Sequence, residues 1–152
     1  MGACSGDFLQ RRTLDENIIT ELVSFLKQKW SQSYRKTDSS PYHLTIEYKI
    51  QKDILHQIGP LCYHIKLEND GLWPIIECLI PYLSNKQPLS LQMACRESLD
   101  YLSEIDPYAL HFYLEDFLAS KNAKEIKQYE TNVKFLLKKI QNPRLIHKDQ
   151  FD

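Results

Sequence analysis

The chain has 152 residues, 43% hydrophobic and 26% charged, with a net charge of −1. That composition belongs to a folded protein, and so small a net charge gives no overall electrostatic basis for binding nucleic acid or a membrane surface. Only four glycines are present, fewer than the tight turns of a sheet protein of this size usually require, which leans the chain towards helix.

The opening Met1-Gly2-Ala3-Cys4-Ser5-Gly6 is a weak match to an N-myristoylation signal, because Gly6 stands where Ser or Thr is wanted. Residues 1–12 therefore read as a disordered start. Thr13 and Glu16 make a capping-box pair that predicts the first helix. Leu14, Ile18, Leu22, Leu26, Trp30 and Tyr34 recur every four positions, joined by Ile19 and Val23, and give a wide apolar stripe. The run Lys36-Thr37-Asp38-Ser39-Ser40 ends it.

Ser40 and Pro41 predict the N-cap and first residue of a second helix. Two periods then compete. Leu44, Ile46, Tyr48 and Ile50 alternate as in a strand, whereas Leu44, Tyr48, Leu55, Ile58, Cys62 and Ile65 share one helical face over a longer stretch. A lone strand would have no partner elsewhere in the chain, which decides for helix. Gly59-Pro60 should kink or break it.

After the turn Glu68-Asn69-Asp70-Gly71, a third helix is expected from about Leu72, with Trp73, Ile76, Leu79, Ile80 and Leu83 apolar. Pro88 starts a fourth, whose Leu91, Cys95, Leu99 and Leu102 face one side. Asp106-Pro107 is an N-cap and first-turn pair opening a fifth helix with Leu110, Leu114, Phe117 and Leu118. A sixth follows Ser120-Lys121-Asn122 and should bury Ile126, Val133, Leu137 and Ile140. Asn142-Pro143 stops it and leaves 142–152 as a mobile tail. Six helices with short links pair into three hairpins stacked as an α-solenoid over residues 13–141.

Leu79-Ile80-Pro81-Tyr82-Leu83 and the helix after it resemble a HEAT repeat, in which a first helix ends in L-x-P-x-L and the second carries small residues between leucines. Ala94 and Cys95 let two helices approach, and Leu99 and Leu102 fill the space between layers. The fold class is thus all-α, an α-solenoid of about three HEAT-type hairpins. Gln92 stands where the usual repeat has a basic residue, so a weaker polar ladder between repeats is expected. Gly59-Pro60-Leu61-Cys62, the run from Tyr82-Leu83-Ser84 through Lys86-Gln87-Pro88 to Leu91-Gln92, Asp106-Pro107, and Thr131-Asn132-Val133 before Leu136-Leu137 follow one another in an order that resembles the C-terminal end of the Tel-two-interacting protein one family. The resemblance covers about Leu44 to Ile140. These are the large helical-repeat subunits of the Triple T cochaperone complex. It implies a non-catalytic scaffold in cytoplasm and nucleus. The implied partners are the other two Triple T subunits and, through them, phosphatidylinositol 3-kinase-related kinases and the heat-shock chaperone system.

Chemistry-bearing constellations are missing from the sequence. It has no glycine-rich phosphate loop, no G-x-S-x-G and no H-E-x-x-H. Cys4, Cys62, Cys78 and Cys95 form no C-x-x-C pair, and His43, His56, His64, His111 and His147 are scattered. Adjacent Glu115 and Asp116 point different ways on a helix. No enzyme, cofactor or metal site is therefore expected. Trp30 and Trp73 fit core stripes. The candidate protein contacts are Lys86, Gln87 and Arg96 at an interhelical turn, with Tyr82 beside them and Phe135 about half a turn off the sixth helix's stripe. Phe135 should be covered either by the tail, through Leu145, Ile146 and Phe151, or by a partner. The alternatives are a generic HEAT-repeat adaptor and a basic nucleic-acid-binding module. The latter would use the eight basic residues from Lys121 to Lys148, although lysines at helical spacing without interleaved aromatics suit a solvated helix face better.

Overall fold

A computed structural model describes the backbone of residues 2–67 and 69–140 and the side chains of 15–67 and 70–140. Six α-helices follow in order: α1 (Gly2–Ser33), α2 (Ile46–His64), α3 (Asn69–Leu79), α4 (Leu89–Ile105), α5 (Pro107–Ala119) and α6 (Ala123–Ile140). Short 3-10 turns at Pro41–Leu44 and Ile80–Leu83 precede α2 and follow α3. Among the described residues there is no strand.

Several boundaries differ from those the sequence suggests. α1 opens at Gly2, so Thr13 lies inside the helix and residues 2–12 continue it. No proline interrupts Gly2–Ser33, and extending a helix costs less than nucleating one, so a capping-box pair within the run does not start it. Ser40-Pro41 begins the 3-10 turn, and the cap of α2 is Thr45, whose hydroxyl accepts from the Tyr48 N–H at 3.2 Å. Leu44 and Ile46 consequently stay in solvent, each 70% exposed. α3 begins at Asn69, and Trp73 is half-exposed, leaving the core to Leu72, Ile75, Ile76 and Leu79.

Other signals hold. Asp106 accepts from the Ala109 N–H at 3.0 Å and caps α5, and Asn122 accepts from Glu125 N–H at 2.8 Å at the start of α6. Leu91, Cys95, Leu99 and Leu102 are all fully buried, as the period of α4 requires. On α1 the buried row is Ile19, Val23 and Leu26, with Ile18 outside it. On α6 the stripe is rotated from the expected one. Tyr129, Asn132, Val133, Leu136 and Ile140 are buried, while Ile126 and Leu137 are only partly so. The buried amide of Asn132 breaks the apolar pattern and makes Leu136 and Leu137 equally plausible core positions by sequence.

The helices form two layers. α1, α3 and α5 neighbour one another in order, and so do α2, α4 and α6, with α2 against α4 the most extensive seam. Partners across that seam advance together along both helices: Tyr48 with Ser90, His56 with Glu97, and Gly59 with Ser98. α2 and α4 therefore run parallel, with partners 39 to 42 positions apart. The α4–α6 seam repeats this, pairing Gln92 with Asn132 and Asp100 with Lys139 at separations of 40 and 39. Such a period lies nearer the HEAT range of about 40–47 residues than the tetratricopeptide period of about 34.

Gly59-Pro60 neither ends nor breaks α2, which is helical through both. A Cβ on Gly59 would lie 2.5 Å from the Ser98 Cα and 2.6 Å from its carbonyl oxygen, so glycine is what lets the two backbones meet. The Ser98 hydroxyl accepts from the Gly59 N–H and donates to the Leu55 carbonyl, the two groups that a straight helix would pair with each other. The Ser98 hydroxyl thus inserts into the helical ladder one position before Pro60 and ties it to the neighbouring repeat.

Candidate functional site

The residues singled out for partner contact divide into buried and exposed sets. Tyr82 has no exposed surface; its phenol donates to the Leu26 carbonyl at 2.6 Å and accepts from Gln51 Nε2 at 3.0 Å. Gln87 is 2% exposed, with Oε1 accepting from the Ser33 hydroxyl at 2.6 Å and Nε2 donating to the Trp30 carbonyl at 3.0 Å. Neither can meet a partner. The 3-10 turn and the link after it fold against the end of α1, which turns both side chains inward.

These two belong to a polar ladder that crosses the repeats. Gln51 Nε2 donates to Ser33 Oγ, Ser33 to Gln87, Gln92 Nε2 to the Gln87 carbonyl at 2.7 Å, and Asn132 Nδ2 to Gln92 Oε1 at 2.9 Å and the Leu83 carbonyl at 2.7 Å. Gln51, Gln92 and Asn132 lie one on each of α2, α4 and α6. Gln92 therefore carries the ladder instead of weakening it, because a neutral amide both donates and accepts where a basic side chain only donates. This network is missed by a search for charged or catalytic residues. Its signal in the sequence is an amide recurring at roughly the repeat period.

Arg96 and Phe135 form the exposed pair. Phe135 is 40% exposed, with the Arg96 guanidinium carbon 3.5 Å from its ring centroid and Lys139 Nζ at 5.1 Å. Such stacking holds the guanidinium over the ring face. Arg96 also donates to Asn132 Oδ1 at 3.4 Å, while its Nε has no partner and burial lowers its pKa. Among the described residues, Arg96 of α4 and Lys139 of α6 are the groups over the ring; the tail residues Leu145, Ile146 and Phe151, expected as a cover, lie outside the described residues. Exposed Leu89 and Met93 continue the Arg96 face of α4 at helical spacing.

Lys86 lies elsewhere, on a groove of about 610 Å³ between the first two turns, with Arg35 and Lys36 across from it. Arg35 N–H donates to the Lys86 carbonyl at 2.6 Å and ties the two turns together. Asp38, also in the groove, accepts from the Ser90 N–H at 3.1 Å and from its hydroxyl at 2.5 Å, capping α4 from the preceding repeat.

Cys62, Cys78 and Cys95 are buried, and burial pushes the thiols of Cys62 and Cys78 up to about 12, which keeps them protonated and inert. Among the described residues no group of three or more His, Cys, Asp or Glu side chains could hold a metal ion, and no helix is long and apolar enough to cross a membrane. The basic face of α6 is partly neutralised: Lys134 pairs with Glu130 at 2.6 Å, Lys139 with Asp100 at 3.1 Å, and Lys121, in the turn before the helix, with Glu125 at 3.8 Å.

A family model described as the TTI1 C-terminal TPR domain matches residues 1–110. A TELO2-interacting protein 1 homolog of Mus musculus is 33% identical over 107 residues, covering 70% of this chain and 10% of that protein. Its Homo sapiens counterpart is 31% identical over 116 residues, covering 76% and 10%. The matched part is thus about a tenth of the length of these relatives. No solved structure matches.

Proposed function

The chain belongs to the TTI1 C-terminal TPR domain family, and from that membership we propose that it is a non-catalytic helical-repeat scaffold of the Triple T cochaperone type. Its work is to hold the other two Triple T subunits and, through them, to support the maturation and stability of phosphatidylinositol 3-kinase-related kinases with the heat-shock chaperone system, in the cytoplasm and nucleus. The relatives' name, TELO2-interacting protein 1 homolog, points to the first partner. The repeats proposed to do this work are the helices α1 to α6, and among the described side chains their shared core runs from Ile19 to Ile140.

One observation carries the reading to a surface. Arg96, Phe135, Met93 and Leu89 are a partly exposed apolar and cationic patch beside the internal ladder of amide hydrogen bonds. Arginine and aromatic residues are the types that dominate binding energy at interfaces. Co-expression of this chain with the two other subunits, followed by affinity purification, should recover a complex stable to physiological salt. Recovery of neither subunit would remove the Triple T reading and leave a generic repeat adaptor. Salt-sensitive retention on DNA or RNA would instead favour the basic module.

A further inference from the structure

The cationic groove at the first two turns meets the Arg96–Phe135 patch at Leu89, and its charge is unbalanced. Arg35, Lys36 and Lys86 are exposed on its walls, and among the described residues none forms an ion pair. Its one carboxylate, Asp38, is turned to the start of α4 and to Ser90. On α6 Lys134 and Lys139 are paired with carboxylates, whereas among the described residues Lys124, Lys127 and Lys138 form no ion pair but lie along an open helix face; Arg35, Lys36 and Lys86 differ in lining one concave site.

The groove is also pre-formed. Arg35 N–H is bonded to the Lys86 carbonyl, Lys86 N–H donates to Ser84 Oγ at 3.1 Å, and Asn85 N–H donates to the Gln128 carbonyl at 2.7 Å. Two turns and α6 therefore fix the walls before any ligand arrives, which lowers the ordering cost of binding. Arg35 holds φ 66°, a backbone position that favours glycine, yet a long cationic side chain stands there. Leu89, 61% exposed, forms an apolar rim.

We propose that this groove docks an acidic segment of a protein partner, its carboxylates meeting Arg35, Lys36 and Lys86 and one apolar side chain resting on Leu89. Peptide fits better than nucleic acid. The groove has the volume of a compact ligand site. No aromatic side chain lines it to stack a base. The proposal rests on protein binding being this chain's work, but the test uses a synthetic probe, so its failure and the failure of Triple T capture are separately visible.

The experiment is fluorescence anisotropy of the full chain with a labelled glutamate-rich peptide carrying one central leucine. The same peptide with glutamine for glutamate and single-stranded oligothymidylate are the comparisons. The glutamate peptide should bind, the glutamine peptide should not, and Arg35→Gln/Lys36→Gln/Lys86→Gln should weaken binding roughly tenfold or more. Lys124→Gln/Lys127→Gln/Lys138→Gln, an equal change of charge on α6, should leave it nearly unchanged. Should the first variant fail to fold, Lys36→Gln/Lys86→Gln with Arg35 intact tests the same groove. No binding of the glutamate peptide, equal losses from the two triple variants, or oligothymidylate binding at least as tightly would overturn the proposal.

Discussion

The seam between α2 and α4 and the seam between α4 and α6 share direction and period but are closed differently. At the first, Gly59 lets backbone meet backbone and Ser98 inserts into the ladder beside Pro60. At the second, contact is made by side chains: the Asn132 amide inside, and the Arg96 guanidinium over half-exposed Phe135 at the surface. A seam closed by backbone is held at a fixed distance, even though half-exposed Tyr63 and Tyr101 meet across it with ring centroids 6.0 Å apart. One closed by an arginine and an aromatic ring can have either lifted and reused at modest cost. The same repeat geometry therefore gives a backbone join on one side of α4 and, on the other, the side-chain seam at which we propose that a partner binds.

Substitutions can break this contrast in graded steps. Leu99→Ala, on the helix shared by both seams, should cost about 2–5 kcal/mol in a denaturant titration, because it opens a cavity in fully buried packing. Lys124→Ala, on the exposed face of α6, should stay within about 0.5 kcal/mol. Equal losses for the two would mean the helix faces are wrongly assigned. Gly59→Ala should cost about 1–3 kcal/mol by overpacking. Ser98→Gly should not rescue it, since the two nearest obstacles are the Ser98 Cα and carbonyl oxygen, which that change keeps. Rescue would show that the side chain and not the backbone sets the approach.

Asn132→Ala sharpens the comparison at the other seam. It leaves the Gln92 carbonyl oxygen and the Leu83 carbonyl without their donor, and should lower stability by about 1–3 kcal/mol. No change in the unfolding midpoint would mean that water replaces the amide and that the ladder is not what holds α6 in register.

Much of this organisation is legible from sequence because it follows from short-range signals. The caps Asp106 and Asn122, the period of α4, and the all-helical hairpin order need only neighbours within a turn or two. What sequence misses depends on neighbours some forty positions away. Gly59-Pro60 looks like a break until Ser98 is seen to bridge it. Gln87 looks like a turn residue facing solvent, and Tyr82 fits core packing as well as contact, until Leu26, Trp30 and Ser33 of α1 are found against them. Arg96 and Phe135 are both expected contacts, but their stacking on one another comes from the α4–α6 register. The Arg35 groove is hidden for a similar reason: its cations lie on two separate turns, with no local run of basic residues to mark them.

The division of labour between the two seams is tested most directly by capturing the other Triple T subunits with Phe135→Ser chain and measuring its melting alongside. The stack over an exposed ring is worth only about 0.5–1 kcal/mol, so melting should shift little while capture falls clearly below that of the unaltered chain. A chain that melts much earlier yet still captures both subunits in full would make Phe135 ordinary core and place the binding surface elsewhere.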